Sequence, residues 1–446
     1  MEQQHMFTNR MIRNLLVPVV LEQILNSIMG TADTMMVSNV GSAALSAVSL
    51  VDSINILLIQ AFSALAAGGA IVCAQYIGQK NYEKANMSAR QVLFIITAIS
   101  VAVSAACLIF QKPLLRLIFG AVEADVMHAS ETYFFYTALS FPFIASYDAA
   151  ASIFRAQENT KGPMIISMIS NIMNIGGNAI LIWVFHLGVA GAAISTLVSR
   201  IFCAVVVLYQ LRKDRQPIVV REYLKIRPDW SMIGRILGLG IPSGIENSMF
   251  QLGKLAIQST VSTLGTAAIA AQAMTNILEN LNGIAAIGVG VGLMTIVGQC
   301  LGAGRKDEAV YYIKKLCVIA EIVITVSCLI VYTLARPVTI LGGMEKSSAA
   351  MCIHMITWIT IVKPLVWTMA FVPGYGLRAA GDVKFSMITS CCTMWACRFC
   401  LCVFLIRVLG FGPMGVWIGM FADWTVRGII FTWRFHSRRW LEHKVI

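Results

Sequence analysis

The chain has 446 residues, of which 58% are hydrophobic and 13% are charged. An ordinary soluble domain is about 45–50% apolar and about 25% charged, and a soluble protein as apolar as this one would expose large hydrophobic patches. The composition therefore excludes an ordinary soluble protein and favours one that is dissolved in a lipid bilayer.

Apolar runs long enough to cross about 30 Å of hydrocarbon as a helix recur along the whole chain. The first run, from Leu15 to Val37, carries three polar residues and no small-residue cleavage site follows it, so a retained span is predicted and not a signal peptide. Twelve spans are predicted, in chain order, at 14–38, 52–77, 88–110, 131–155, 163–185, 188–211, 232–260, 268–301, 307–335, 348–377, 386–409 and 412–434.

The formal net charge of +12 is distributed by side of the membrane. Lys and Arg are concentrated in alternate connections between the predicted spans, most densely in the one that follows residue 211, and at both termini. The positive-inside rule places these connections and both termini in the cytoplasm of a multi-pass protein of the cell membrane. The basicity is thus explained by topology, and no nucleic-acid partner is expected.

The two halves of the chain resemble each other at an offset of about 223–224 residues. The matched landmarks are Pro18 and Glu22 with Pro242 and Glu246, AQYIGQKNYEKA with GQCLGAGRKDEA, FRAQENTK with LRAAGDVK, and Gly188 and Gly191 with Gly412 and Gly415. Six spans, an even number, separate the copies, so both halves enter the membrane in the same direction. We expect an all-α protein with an N-lobe at 1–211, a cytoplasmic linker at 212–231 and a C-lobe at 232–446, related by a pseudo-two-fold axis along the membrane normal.

Several of these landmarks, in order along the chain, are similar to those of one transporter family. They are PVVLEQILNSIMGTADTMMVSNVG in the first span, GQKNYEKA, RAQENTKGP, GVAGAAISTLVSR and RAAGDVK. The chain resembles the multidrug and toxic compound extrusion (MATE) family of cation-coupled antiporters. The resemblance implies twelve helices in two lobes, exchange of Na⁺ or H⁺ for cationic, amphipathic, drug-like compounds, and no metal or nucleotide cofactor. We expect a monomer in the bilayer with a small-molecule substrate.

Asp33 is the best candidate for the coupling residue, because a carboxylate inside a bilayer is costly and usually belongs to an ion path. The fifth span places Asn171, Asn174 and Asn178 on one face by i, i+3, i+4 and i+7 spacing. Counted along their helices, Asp33, Asn178 and Thr196 lie at similar depths below the outer surface. Carboxylate, amide and hydroxyl oxygens suit a small hard cation.

The resemblance matches Asp33, Asn174, Asn178 and Thr196 to the family's N-lobe cation site. Many members of the family have an aspartate where this chain has Asn178, which weakens the case for Na⁺ and leaves H⁺ open. The alternative is that these amides only bind neighbouring helices, an effect of roughly 0.6 kcal/mol for each contact.

A second group of residues is predicted to contact the substrate or to gate its path. Glu22 and Glu246 each lie four residues after a proline that can kink a helix, and Asn26 lies on the same stripe as Glu22 and Asp33. Lys254 and Glu279 are charged residues within the C-half spans, where Lys254 has no obvious partner nearby in sequence. We expect the C-lobe to tolerate an anionic or zwitterionic group. Polar contact between helices is the alternative for the two glutamates, Glu22 and Glu246.

Other classes of function fit the residues less well. Cys397 and Cys400 form a CxxC, but no second CxxC or paired histidines complete a zinc site, so no metal site is predicted. An enzyme would need a nucleophile beside its base, and only His354 of six histidines is placed within a span. A channel lacks repeated filter sequences. A flippase of lipid-linked sugars, from the same superfamily, stays open.

Overall fold

The computed structural model describes residues 5–446, and within them the long elements are all helices. Twelve of these helices have 23 residues or more, which is enough to cross a bilayer. They are α1 Asn9–Ser38, α2 Ser42–Gly78, α3 Tyr82–Ile109, α4 Ala124–Ala156, α5 Lys161–Val184, α6 Val189–Leu211, α7 Trp230–Val261, α8 Thr266–Gly302, α9 Lys306–Leu341, α10 Lys346–Ala379, α11 Val383–Arg407 and α12 Met414–His436. The all-helical fold predicted from the sequence is therefore confirmed.

Nine of the described helices are also apolar enough by composition to cross a membrane. The other three are α4, α7 and α12, whose apolar runs are interrupted by the charged residues Asp148, Lys254 and Asp423, among others. Charges within a long helix of this kind normally face the protein interior. These three helices are consequently where charged side chains with a function are expected.

Most helix bounds lie within a few residues of the predicted ones, but α4 begins at Ala124, seven residues before the predicted start, and α9 ends at Leu341, six residues after the predicted end. The helix α2 begins at Ser42, ten residues before the predicted start at 52, because the small residues between Ser42 and Val51 lower the apolar signal without breaking the helix. A short helix, Gln111–Phe119, was not predicted. It is too short to span a membrane, and its Leu117 is 84% exposed while Leu115 is buried, which is typical of an amphipathic surface helix.

The chain divides into two compact units. The N-half unit comprises Leu25–Gly244, with Ile446, and the C-half unit comprises the segment that ends at Ile24 together with Ile245–Val445. In the N-half unit α2 and α6 pack against α4, and α5 packs against α6. In the C-half unit α8 and α12 pack against α10, and α11 packs against α12. The same pairings therefore recur six helices later along the chain.

The helices α1 and α7 each contribute residues to both units. Helix α1 passes from the C-half unit to the N-half unit after Ile24, and α7 passes from the N-half unit to the C-half unit after Gly244. The predicted lobe boundaries at 211 and 232 describe the halves of the sequence, whereas the units follow contacts. As a description of the lobes, those boundaries stay a prediction.

The surface of the helices is rich in large apolar side chains. Ile109, Ile340, Leu341 and Leu365 are each more than 70% exposed. Water would disfavour such a surface, whereas lipid tails are as apolar as the side chains themselves. The exposed surface therefore matches a protein whose solvent is the bilayer.

Two helices that match in the repeat, α5 and α11, each contain a π-helical segment. It occupies Ala179–Val184 in α5 and Met394–Cys400 in α11. The wider turn of a π-helix interrupts α-helical spacing and is frequently found at functional sites. Both segments lie directly beside the polar residues of the sites described next.

Candidate cation site and the charged cluster of the C-half

The candidate cation site is built on α1, α5 and α6, within the N-half unit. Gly177 allows α5 and α6 to approach closely, because a Cβ at that position would lie 2.4 Å from Ser195 Oγ. Ser195 Oγ donates a hydrogen bond to the Asn174 carbonyl oxygen at 2.8 Å, which fixes α6 beside the asparagine face of α5. Small and hydroxyl-bearing residues are what hold membrane helices together at such short range.

The four residues predicted for the cation site lie in one hydrogen-bonded group. Asn178 Nδ2 donates to Asp33 Oδ1, and the same amide lies 3.5 Å from Asn174 Oδ1. Asn174 Nδ2 in turn donates to Thr196 Oγ1 at 3.2 Å. Asp33, Asn178 and Thr196, which the sequence placed at similar depths, thus lie in one group with Asn174, while the role of all four in binding a cation stays a prediction.

One oxygen in this group has no hydrogen-bond partner among the described residues. It is Oδ1 of Asn178, a side chain that is 0% exposed. Buried acceptors are normally satisfied, because leaving one unpaired costs about 1–3 kcal/mol. A buried amide oxygen beside a carboxylate is chemically suited to coordinate a small cation or to accept from a protonated acid.

A second layer of charge surrounds the site and was missing from the predicted site residues. Tyr133 Oη donates to Asp52 Oδ1 at 3.1 Å, and Arg200 Nη1 donates to Ser140 Oγ at 2.7 Å. Arg200 interacts electrostatically with Asp33, Asp52 and Asp148. Three carboxylates thus share one arginine. The position of these charged residues within apolar runs of the sequence is the signal that indicates them as candidate site residues.

The remaining predicted residues of the first half have different surroundings. Asn26 Oδ1 accepts hydrogen bonds from Ser167 Oγ at 2.8 Å and from Asn171 Nδ2 at 2.7 Å, so it joins α1 to α5 about two turns of α1 before Asp33. Glu22 is 3% exposed and belongs to the C-half unit. Glu22 and Asp33 therefore share a helix but not a unit.

Glu246, the repeat mate of Glu22, is held by an ion pair. Arg378 Nη2 lies 2.7 Å from Glu246 Oε1, and Ser386 Oγ donates to Glu246 Oε2 at 3.4 Å. This pair satisfies the carboxylate within the C-half unit. The gating role predicted for Glu246 is neither supported nor opposed by that contact, and it stays a prediction.

The C-half unit contains a second polar group, around Lys363 of α10. Lys363 Nζ is 2.6 Å from Glu279 Oε1 and also donates to Asn282 Oδ1, while its side chain is 0% exposed. The ammonium group lies 5.5 Å from the centre of the Trp367 ring. Glu279, one of the predicted residues, is therefore the counter-ion of the buried Lys363. The two residues are 84 positions apart in the sequence, so sequence spacing did not indicate this pair.

Asp423 of α12 accepts from two arginines. Arg427 Nη2, one turn along the same helix at i, i+4, lies 2.9 Å away, and Arg398 Nη2 of α11 lies 3.0 Å away. All three side chains are at most 2% exposed. Gly419 allows α12 to approach the π-helical segment that carries Arg398, since a Cβ there would lie 2.9 Å from the Arg398 carbonyl oxygen.

Lys254 of α7 makes no ion pair among the described residues. Its Nζ lies 5.0 Å from the centre of the Phe250 ring, and the same ring is 4.7 Å from the Arg398 guanidinium and 5.9 Å from that of Arg427. We refer to Lys254, Phe250, Arg398, Asp423 and Arg427 as the Phe250 cluster.

Twelve long helices, an apolar exterior, and charged groups buried at membrane depth define a multi-pass membrane transporter. The family model MatE matches the chain twice, over residues 18–180 and 242–404. The second segment starts at 242, which is 224 residues after 18, so the match also confirms the predicted internal repeat. The chain belongs to the MatE family, as its resemblance to multidrug and toxic compound extrusion transporters implied, and it is a transporter and not an enzyme.

Relatives and solved structures match nearly the whole chain. The chain is 26% identical to the uncharacterized transporter YisQ of Bacillus subtilis, covering 95% of this chain and 93% of that protein. It is 24% identical to the probable multidrug resistance protein NorM of Thermotoga maritima, covering 97% and 93%. A crystal structure of MATE in complex with MaL6 superposes with a TM-score of 0.90 at 18% identity, covering 96% of each chain. That likeness shows the fold alone.

Proposed function

We propose that the chain is a secondary active exporter in which inward movement of Na⁺ or H⁺ drives a small organic compound out of the cell. The observation that carries this proposal is that, inside membrane-spanning helices, Asp33 accepts from Asn178 Nδ2 while Asn178 Oδ1 is buried without a hydrogen-bond partner among the described residues. A carboxylate at this depth is costly unless an ion, a proton or a partner answers it. The proposal requires no cofactor other than the coupling ion.

The proposed cation ligands are the oxygens that already lie together. Asp33 supplies the charge, Asn178 Oδ1 supplies an acceptor without a partner, and Asn174 and Thr196 supply further oxygens. A cation would compete with the Asn178 amide for Asp33, and a proton would turn Asp33 from an acceptor into a donor. Either event changes the contacts between α1 and α5.

Alternating access follows from that change. Binding of the coupling ion from outside favours one conformation, in which the exported compound is bound less tightly. Release of the ion inside then favours the other. Such coupling requires the two ligands to have different affinities for the two states, by about 1–3 kcal/mol in typical cases.

The substrate class proposed here is small, amphipathic, drug-like organic compounds. Relatives over nearly the full length are named probable multidrug resistance proteins. The family resemblance adds a preference for cationic compounds. Glu22, Asn26, Glu246, Lys254 and Glu279 are proposed to contact the compound or to gate its path.

We also propose the cell membrane as the location, with both termini in the cytoplasm, and a monomer as the working unit. The concentration of Lys and Arg in alternate connections supports this orientation. Accessibility of an engineered cysteine at either terminus to an impermeant thiol reagent, in intact and in opened cells, tests it. Labelling in intact cells would show that the labelled terminus lies outside the cell, which contradicts the proposed orientation.

The coupling site is tested by Asp33→Asn in proteoliposomes loaded with a fluorescent organic cation. Sodium and pH gradients are imposed separately, and efflux is recorded for each. We expect the variant to lose gradient-driven efflux under both gradients, because a neutral amide neither attracts a cation nor exchanges a proton.

Asp125→Asn is the matched control, since it makes the same chemical change at an exposed position in the first turn of α4. It is expected to transport as the wild type does. Full efflux by Asp33→Asn, with insertion equal to the control, would remove Asp33 from the mechanism.

A further inference from the structure

The Phe250 cluster and the adjacent Lys363 group contain more basic than acidic side chains. The basic members are Lys254, Lys363, Arg398 and Arg427, and the acidic members are Glu279 and Asp423. The two groups are electrostatically connected, because Glu279 interacts with Lys254 and Arg398 as well as with Lys363. The nearby pair of Glu246 and Arg378 contributes one charge of each sign and leaves the excess unchanged.

Each carboxylate is already shared or committed. Asp423 accepts from two guanidinium groups, and Glu279 is 2.6 Å from Lys363. Lys254 is left with an aromatic ring as its contact. Ionisable residues within membrane-spanning helices often mark substrate paths, and Lys254 makes no ion pair among the described residues.

Buried hydrogen-bond donors without a partner lie in the same place. Three of the buried donors that lack a partner among the described residues belong to these two groups or contact them: Arg398 Nε, Asn282 Nδ2 and Trp424 Nε1, on side chains that are 1–2% exposed. All three are N–H groups, so the ligand that satisfies them must supply acceptor oxygens. The excess of positive charge and the unpartnered donors both favour a ligand with a negatively charged group that accepts hydrogen bonds.

Lys254 is the accessible member of the cluster. Its side chain is exposed, whereas Arg398 and Arg427 are each 2% exposed. Lys254 is on the same side of α7 as these buried cations, because all three lie within 6 Å of the Phe250 ring centre. A ligand that reaches Lys254 therefore also reaches the field of Arg398.

Two stacked aromatic side chains lie beside the charged residues. Trp367 and Phe371 stack with their ring centres 4.8 Å apart, and Arg427 lies 4.9 Å from the Phe371 ring centre. Such rings are suited to the flat apolar body of an organic compound. Polar and apolar recognition are thus available within one unit.

We propose that Lys254 and Arg398 bind the acidic group of the exported compound, so that aromatic carboxylates or phosphates, including zwitterions, are substrates. This inference rests on the proposed export function and refines its substrate class. The acidic oxygens pair with the Lys254 ammonium and accept from the unpartnered donors, and the aromatic body lies against the neighbouring rings.

The test is direct binding to purified protein, without any gradient, of dyes that differ in one acidic group. Tetramethylrhodamine carries a free carboxylate and its methyl ester does not, while flavin mononucleotide carries a phosphate that riboflavin lacks. Fluorescence anisotropy measures each Kd. We expect one of the two acids to bind at least about tenfold more tightly than its neutral-group partner, as charge-assisted hydrogen bonds typically provide.

The variants separate charge from packing. Lys254→Met is expected to remove that tenfold preference and Lys254→Arg to retain it, and Arg398→Gln is expected to reduce it where the folded variant is obtained. Lys346→Met, at the exposed start of α10, is the matched control and should bind as the wild type does.

Equal affinity for acid and partner in both pairs, no detectable binding of either acid, or an unchanged preference in Lys254→Met would overturn the inference. These outcomes are distinguishable from failure of the export proposal. Gradient-driven efflux of the cationic methyl ester with no preference for the acid would leave export standing, whereas acid-selective binding without efflux under any gradient would remove export alone.

Discussion

The two halves of the molecule bury opposite chemistry. In the N-half unit, Asp33, Asp52 and Asp148 share one arginine, and the candidate cation site holds a buried acceptor without a partner, Asn178 Oδ1. In the C-half unit, four basic side chains share two carboxylates, and the buried N–H donors beside them include three without a partner. One repeated scaffold therefore presents a site for a positive ion in one copy and a surplus of positive charge in the other.

Residues at matched positions illustrate how this difference arose on a common frame. At the 224-residue offset between the matched segments, Asp33 of the cation site corresponds to Ile257. The glycines and prolines that shape the helices recur, as does Glu22 in Glu246, while the residues of the cation site do not. Helix packing and solute recognition are thus carried by different residues, so one can change without the other.

The largest expected effect concerns the charge balance of the C-half. Asp423→Asn leaves Arg398 and Arg427 buried without their carboxylate, and we expect a loss of about 3–5 kcal/mol in the free energy of unfolding. Denaturant unfolding in detergent measures it. Asp307→Asn is the control, because that carboxylate is 91% exposed. A loss no larger than the control's would mean that the C-half is not short of negative charge.

The next effect concerns the scaffold under the cation site. Gly177→Ala places a methyl group against Ser195 Oγ and should separate α5 from α6, at a cost of about 1–3 kcal/mol in unfolding free energy, with weaker binding of the coupling ion. Gly176→Ala is a close control, since no atom lies within 4 Å of the added Cβ. Equal behaviour of the two variants in thermal unfolding would show that the close approach is not needed.

The acidic character of the N-half is tested by adding a carboxylate to the cation site. Asn178→Asp supplies a second carboxylate beside Asp33, and we expect Na⁺ to bind about tenfold more tightly, because ligand charge governs affinity for hard cations. Sodium-dependent thermal stabilisation reports the affinity. Asn276→Asp adds the same charge in α8 of the C-half unit and should leave Na⁺ binding unchanged. Weaker Na⁺ binding by Asn178→Asp would contradict the site.

The smallest effect concerns the basic residue of the N-half. Arg200→Gln removes the guanidinium that interacts with Asp33 and Asp52, and with it a repulsion on the coupling cation. Because protein and water screen that repulsion, the cation should bind only about threefold more tightly. Calorimetric titration with Na⁺ measures the change in affinity. Arg212→Gln, at the exposed end of α6, is the control variant. Unchanged affinity would mean that Arg200 only binds Ser140.

Much of the fold was predictable because the bilayer imposes a simple requirement on sequence. Span length and the repeat predicted the helices, and α-helical spacing with depth counting predicted the group of Asp33, Asn174, Asn178 and Thr196. The Asp423–Arg427 pair was predictable because it lies within one helix.

What could not be predicted depends on contacts between helices. The pairs of Glu279 with Lys363 and Glu246 with Arg378 join positions 84 and 132 residues apart, and no local spacing encodes them. The face of Arg398 was hidden for a different reason, since it lies in a π-helical segment where 3.6-residue periodicity fails.

The π-helical segments occupy different places in the two copies of the repeat. At the offset of 223–224 residues, Met394–Cys400 lies opposite residues 170–177, whereas the segment of the first copy is Ala179–Val184. A π-helical turn contains more residues than an α-helical turn, so it rotates the residues that follow it relative to those before it. Equal positions in the two sequences therefore need not face the same way in matched helices.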